Sequence, residues 1–283
     1  MSARQEQKAE AFRALHEGEP FVIPNPWDAG SARMLEALGF EALATTSSGF
    51  AFTLGKLDGK VTLDEVAVHV AALDAATELP VSVDLENGYA ASADHAAAAI
   101  RRVAKAGAVG GSIEDWDPVE QRIYDFDHAV ERVQAAVEVA RSLPFPFMLT
   151  ARAENFLYAR KDIDDTIKRL QAFEDAGADV LYAPGLYDLA TIKTVVSALK
   201  KPFNLVMGFA DPTLTVPLLS AAGVKRISVG GALSRVALAA VLRCAREMKD
   251  KGSFTFIPEM VPMQELRGAL AAGRPLASAN DTA

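Results

Sequence analysis

The chain has 283 residues, half of them hydrophobic and 23% charged, which supplies a large core and excludes a disordered or fibrous protein. Acids outnumber bases 37 to 29 for a formal charge of −8, with no long basic run. The sequence therefore offers no footprint for nucleic acid or an anionic membrane, and small molecules or copies of the chain itself are the expected partners. Cys244 is the only cysteine, which excludes an internal disulfide or a cysteine-based zinc cluster and makes a reducing compartment, the cytoplasm, the simplest reading.

Residues 1–20 are charged throughout, lack the apolar core of a signal peptide and read as a helix ahead of the first strand. No later stretch approaches the ~20 apolar residues of a membrane span. Short β-branched runs then follow in order: 21–27 (FVIPNPW), 42–47 (ALATTS), 81–86 (VSVDLE), 110–115 (GGSIED), 147–152 (FMLTAR), 180–184 (VLYAP), 203–208 (FNLVMG) and 226–231 (RISVGG). Helical patterns lie between them, several closing on a glycine just before the next strand (Gly39, Gly107, Gly177, Gly223). Strands buried on both faces and alternating with helices predict an α/β fold, a (β/α)8 TIM barrel. No linker divides the chain, so residues 1–283 read as one domain. Within it, 1–20 is an extra helix, 21–250 the barrel, and 251–283 a helical extension (MVPMQELRGALAAG) with a loose polar tail (RPLASANDTA).

Barrel enzymes build their sites at the C-terminal ends of the strands, and here those ends are polar. The first gives Asn25, Trp27 and Asp28; the second gives Thr46, Ser47, Ser48 and Gly49. The third gives Asp84 and Glu86, the fourth Glu114 and Asp115, the fifth Arg152 and Glu154, and the seventh Asn204. Period-two geometry puts Asp84 and Glu86 on one face, with Glu114 on the neighbouring strand. Three carboxylates at one mouth suit a hard cation, Mg²⁺ or Mn²⁺; the competing reading is a set of salt bridges to bases such as Arg152. Arg152 in turn can fork onto a substrate carboxylate or pair with Glu154 or Glu114. The Ser/Gly turn at 46–49 can hold an anion on its backbone N–H groups, Asp58 is by default a solvated turn residue, and the GGALS after the last strand sits where barrels often bind phosphate. His16, His69, His95 and His128 all fall in helical stretches, which argues against a histidine metal site or a Ser-His-Asp triad.

The stretches NPWDAGSARMLEALGFEALATTSSGFAFTLGKLDG, LPVSVDLENGY, AGAVGGSIED and LTARAENF span about residues 24–156, with a looser match through DAGADVLYAPG and KPFNLVM. Together they resemble the phosphoenolpyruvate mutase/isocitrate lyase superfamily. That resemblance implies a barrel that binds Mg²⁺ and an α-oxocarboxylate and makes or breaks an adjacent C–C or C–P bond through an enolate-like intermediate. It implies Asp84 as the acid closest to the metal and Glu86 and Glu114 as acids acting largely through water. It places Ser47, Ser48 and Gly49 in the substrate loop, with Thr46 as rival for the serine role. Arg152 and Asn204 match substrate contacts, and Asp58 an aspartate near the reacting centre.

Two departures narrow the reaction. The lyase branch carries a KKCGH- or KRCGH-like loop after the fourth strand with an acid/base cysteine, whereas this loop reads WDPVEQRIYDF. The mutase and phosphonopyruvate hydrolase branches meet the phosphonyl group with lysine and asparagine, and this loop offers Gln121 and Arg122. The expectation is a Mg²⁺-dependent lyase of a small α-oxo or 2-hydroxy dicarboxylate, oxaloacetate decarboxylase-like or methylisocitrate lyase-like. The alternatives are a C–P mutase or hydrolase and a noncatalytic oxo-acid-binding barrel. The resemblance further implies a homotetramer, a dimer of dimers exchanging a C-terminal helix, with a simple dimer as the fallback.

Overall fold

A computed structural model describes residues 2–271. In chain order the first half comprises α1 (Ala3–Glu17), β1 (Phe21–Ile23), α2 (Ala29–Ala37), β2 (Leu43–Ala44), α3 (Ser47–Thr53), α4 (Leu63–Ala76), β3 (Val81–Asp84), α5 (Ala93–Lys105), β4 (Gly110–Glu114), β5 (Trp116–Asp117), β6 (Arg122–Ile123) and α6 (Phe126–Ser142). The second half comprises β7 (Met148–Arg152), α7 (Ile163–Asp175), β8 (Val180–Tyr182), α8 (Leu189–Ser197), β9 (Phe203–Val206), α9 (Val216–Ala221), β10 (Arg226–Ser228), α10 (Ala232–Lys251) and α11 (Met263–Leu270). All eight expected strands are present, each shorter than its apolar run, and they form one parallel sheet in the order β1-β10-β9-β8-β7-β4-β3-β2. The short antiparallel pair β5–β6, inside the loop after β4, was not foreseen. The seam between β1 and β2 is bridged by one backbone bond, Ala44 N–H to Pro24 C=O at 3.1 Å. Asn25 reinforces it: its Nδ2 donates to Thr45 C=O at 3.0 Å, while its Oδ1 accepts from the N–H groups of Val229 and Gly230 at 2.9 Å. The result is an α/β barrel of the TIM type, nearly closed on itself.

The helices begin where side chains can satisfy the free N–H groups of a first turn. Asp28 and Ser31 make a reciprocal capping box on α2, and Thr62 and Glu65 make another on α4. Asp28 is therefore a cap and not the polar strand end that its position after the first run suggested. The four glycines expected to end helices all have positive φ. At Gly107 the requirement is double, since a Cβ would also meet Asp74 Cγ at 2.7 Å.

Helix α1 plugs the end of the barrel opposite the site. Phe12 is fully buried against Gly110, where a Cβ would come within 2.7 Å of its ring, and His16 enters beside it. Beyond the barrel, α11 folds back on α2 of its own chain, Arg33 Nη1 donating to Leu270 C=O at 3.1 Å. The expected tail, RPLASANDTA, lies outside the described residues.

Candidate active site

Three neighbouring strands end side by side at one mouth: β3 in Asp84, β4 in Glu114 and β7 in Arg152, with Glu114 and Arg152 paired in register. The Arg152 guanidinium donates from Nη1 to Asp84 Oδ1 at 2.8 Å and from Nε to Glu154 Oε1 at 2.8 Å, and its Nη2 meets Glu114 Oε2 at 2.9 Å. Only 10% of the Glu114 side chain, 11% of Arg152 and 20% of Asp84 reach solvent, so these are desolvated pairs and not surface ones. One cation cannot balance three buried anions. Burial raises Glu114 well above the carboxylate range and lifts Glu154 to about 7, Arg152 opposing both shifts. Burial alone would weaken the Arg152 charge, but Glu154, Glu114 and Asp84 outweigh it and hold its pKa above the ordinary arginine value.

Glu86 departs from the expected geometry. Strand β3 ends at Asp84, and Glu86 sits in the left-handed region at φ 49°, a conformation that costs a non-glycine residue free energy and concentrates at functional sites. The two carboxylates consequently do not share a strand face: Asp84 lines an inner cavity and Glu86 an outer compartment with Glu114. Partly buried, and facing Asp84 and Asp58, Glu86 is pushed up to about 8, and its Oε1 has no hydrogen-bond partner.

Across the mouth, Thr46 caps α3, its Oγ1 accepting from Gly49 N–H at 3.3 Å. That leaves Ser47 as the hydroxyl facing both compartments, its N–H donating to Asp84 Oδ2 at 3.4 Å. Gly49 is held by packing, since a Cβ there would meet Thr46 Cγ2 at 2.6 Å and Trp27 Cβ at 3.1 Å. Gly231, in the GGALS turn, abuts Ser48: a Cβ there would lie 2.6 Å from Ser48 Oγ. Asp58 comes into the mouth from the following loop, lining both compartments, and its carboxyl is raised by desolvation first and by Asp84 second. It is an exposed turn residue that also faces the mouth.

The inner cavity measures about 150 Å³ and runs from Ser47, Asp58 and Arg152 down to Asn204, Ser228 and Arg226. Asn204 is buried, donating to Ser228 Oγ at 3.1 Å and accepting from Arg226 Nε at 2.8 Å. The outer compartment of about 380 Å³ adds Lys60, Gln121 and Trp116, whose ring stacks on Tyr158 at 3.4 Å between centroids. Arg122 turns away to Asp125. Asp115 faces neither space. It accepts from Glu154 N–H at 2.8 Å and pairs with Arg169 at 3.1 Å, a structural anchor.

Three participants escaped the sequence reading. Arg226 opens its strand instead of closing it, although period two from Ser228 puts it on the inner face. Tyr182, beside Arg152 with its ring centroid 5.0 Å from the guanidinium carbon, sits in an otherwise apolar run. The Trp116–Tyr158 stack joins residues 42 apart, which leaves no local signal. All four histidines lie in helices, as expected.

Among the described residues no three His, Cys, Asp or Glu side chains converge as a ready-made metal cluster. Arg152 already holds Asp84 and Glu114. The all-oxygen donor set, the partnerless Glu86 Oε1 and the like-charge crowding nevertheless fit a hard cation bound by one or two carboxylates, with water filling its other positions.

Residues 12–249 match the family model described as phosphoenolpyruvate phosphomutase. The 2-methylisocitrate lyase of Escherichia coli (strain K12) is 30% identical over 226 residues, 76% of this chain and 75% of that one. The oxaloacetate decarboxylase of Bradyrhizobium diazoefficiens is 30% identical over 233 residues, 79% and 78% of the two chains. Among solved structures, a provisionally assigned lyase/mutase from Burkholderia cenocepacia J2315 is 53% identical, with a TM-score of 0.93 over 96% of this chain and 99% of its own. With barrel, mouth and sequence in agreement, the chain belongs to the phosphoenolpyruvate phosphomutase family, within the phosphoenolpyruvate mutase/isocitrate lyase superfamily of lyases and mutases.

Proposed function

We propose that the protein is a Mg²⁺-dependent carbon–carbon lyase acting on a small α-oxo or 2-hydroxy dicarboxylate through an enolate-like intermediate, with oxaloacetate decarboxylation the simplest member of that class. One observation carries this reading: Arg152 at the mouth holds Asp84 and Glu114, with Asp84 and Ser47 lining an inner cavity of about 150 Å³ and Glu86 and Glu114 lining the adjoining outer compartment. An engineered cavity of roughly that size holds one benzene. The space suits an acid of four or five carbons and leaves little room for a bulky substrate.

In this reading Asp84 is the direct protein ligand of the cation, Mn²⁺ serving in place of Mg²⁺, and Glu86 and Glu114 act largely through water. When bound, the cation supplies an electron sink beside the breaking bond. The Ser47–Gly49 turn, with Thr46 capping it, holds the substrate head on hydroxyl and backbone N–H groups. Arg152 orients the carboxylate, Asn204 contacts the substrate deeper in the cavity, and Asp58, which holds a proton more readily than an ordinary aspartate, handles protons at the mouth. The β5–β6 hairpin contributes Gln121 and no thiol to the outer compartment. Decarboxylation or retro-aldol cleavage asks least of such a loop. Both reactions have counterparts in the names of the decarboxylase and lyase relatives.

Lys60 in the outer compartment favours a second reading, in which a phosphonyl group sits there and a C–P bond is broken. Purified protein with and without Mg²⁺ is to be offered oxaloacetate, 2-methylisocitrate, 2-alkylmalates and phosphonopyruvate, with products followed by NMR. Metal-dependent C–C cleavage is the expected result, and phosphate release from phosphonopyruvate would favour the second reading. Oxo-acid binding by calorimetry without any product would instead indicate a noncatalytic binder.

A further inference from the structure

At the floor of the inner cavity lies a buried cation that none of these roles uses. Arg226, at the start of β10, is 5% exposed and lines the cavity. Among the described residues no carboxylate pairs with it, whereas Arg152 is held by three. Its contacts are neutral: Nε donates to Asn204 Oδ1 at 2.8 Å, Nη2 to Thr150 Oγ1 at 2.9 Å, and Nη1 stands 3.3 Å from His16 Nε2.

The histidine tautomer follows from its other nitrogen. His16 Nδ1 lies 2.8 Å from Phe12 C=O and must donate there, so Nε2 is an acceptor and Nη1–H the donor. A guanidinium has five N–H groups. Three are engaged in fixing its position, which leaves one on each terminal nitrogen, the number a carboxylate takes up in a forked pair. A buried charge without a counter-ion is costly, and burial lowers Arg226 to about 10 while leaving it charged at neutral pH.

We propose that Arg226 is the receptor for a second, distal carboxylate of the substrate, so that the cavity selects dicarboxylates over monocarboxylates bearing the same head group. This rests on the reading that the mouth holds an α-oxo or 2-hydroxy acid head. The cavity then has two anion-binding ends: the mouth turn with its cation, and the floor guanidinium. Asn204, Thr150 and His16 act on Arg226 as positioning residues that fix its guanidinium beside the cavity.

Malate and lactate share a 2-hydroxy acid head and differ by the distal carboxylate, which makes them the probes. In the presence of Mg²⁺, calorimetry on the intact protein should show malate binding at least ten-fold more tightly than lactate. Arg226→Met should bring malate to the level of lactate while leaving lactate and pyruvate affinities within two-fold. A purely structural arginine would not change that ratio. Equal affinities in the unsubstituted protein would overturn the assignment while the head-group reading stands. Failure of malate, lactate and pyruvate all to bind with Mg²⁺ would overturn the head-group reading and this inference with it. Should Arg226→Met not fold, the malate-to-lactate ratio of the unsubstituted protein decides.

Discussion

Arg152 Nη1 lies 2.8 Å from Asp84 Oδ1 across the barrel mouth, and the same guanidinium holds Glu114 and Glu154. The four groups act as one electrostatic unit, because three carboxylates share a single buried cation. Replacing Arg152 with Met strands those acids without a partner, and breaking a buried pair in this way costs about 3–5 kcal/mol. Urea unfolding of Arg152→Met should show a loss of that order, whereas Arg152→Lys, which keeps the charge but not the fork, should lose less stability and still bind oxalate poorly. A variant as stable as the parent would contradict the geometry.

Asp84 belongs to the same unit but carries a different expectation. Its removal relieves like-charge crowding on Glu86, so Asp84→Ala should keep the fold and, by circular dichroism, its thermal midpoint within a few degrees. Mg²⁺-dependent binding of oxalate, measured by calorimetry, should fall by about two orders of magnitude, about 2.7 kcal/mol. Unchanged affinity in that variant would sink the assignment of Asp84 to the metal.

Much of this architecture was legible because its causes are local. The apolar runs ending in Asp84, Glu114 and Arg152 announce strands surfacing at one mouth, and the motif stretches around them carry the family. What was not legible depends on distant partners. Glu86 reads as a strand residue until the turn at residues 86–89 forces it to positive φ and hands it to the outer compartment. Asp115 reads as a mouth carboxylate until Arg169, 54 residues on, claims it. Arg226 reads as a charge at the start of a strand, and only the barrel with α1 in its end makes it the floor of a cavity.

The turn facing the carboxylates is sensitive to single methyl groups. Gly231→Ala would push a Cβ to 2.6 Å from Ser48 Oγ, the end of a small side chain that can rotate away. Its expected effect is a rise in KM of several-fold with little change in the unfolding midpoint. Gly49→Ala meets Thr46 Cγ2 at 2.6 Å and Trp27 Cβ at 3.1 Å in a packed site, and should destabilise the protein by about 1–3 kcal/mol. Steady-state kinetics and urea unfolding on the pair separate the two effects, and the reverse order would contradict the packing described.

His16 predicts a pH dependence. Burial, then the charges of Arg226 and Lys225, lower its pKa to about 3, against about 6.5 in an unfolded chain. As pH falls from 6.5 towards 3 the unfolded chain takes up a proton that the folded chain refuses, so stability is lost over that window. His16→Gln should remove up to about 1.4 kcal/mol per pH unit from the slope of unfolding free energy between pH 6.5 and 5. The rise of Glu86 to about 8 acts in the opposite sense, but it is common to both proteins and cancels in the comparison. Identical slopes would show that His16 is not held neutral.

The C-terminal part of the chain carries an unusual apolar surface. Val236 and Val241 on α10 are 70% and 61% exposed, and Met260 and Met263 beyond it 62% and 63%. Large apolar side chains exposed to this extent are what an interface between chains would cover. We propose that they are covered by copies of the same chain, in a homotetramer built as a dimer of dimers or, failing that, a dimer, with the segment around α11 as the element to be exchanged. Light scattering at micromolar concentration should give a mass about four times that of the chain. Val241→Glu together with Met260→Glu should reduce that mass, because an unpaired charge in the centre of an apolar contact costs several kcal/mol, while a monomer in the unsubstituted protein would refute the assembly.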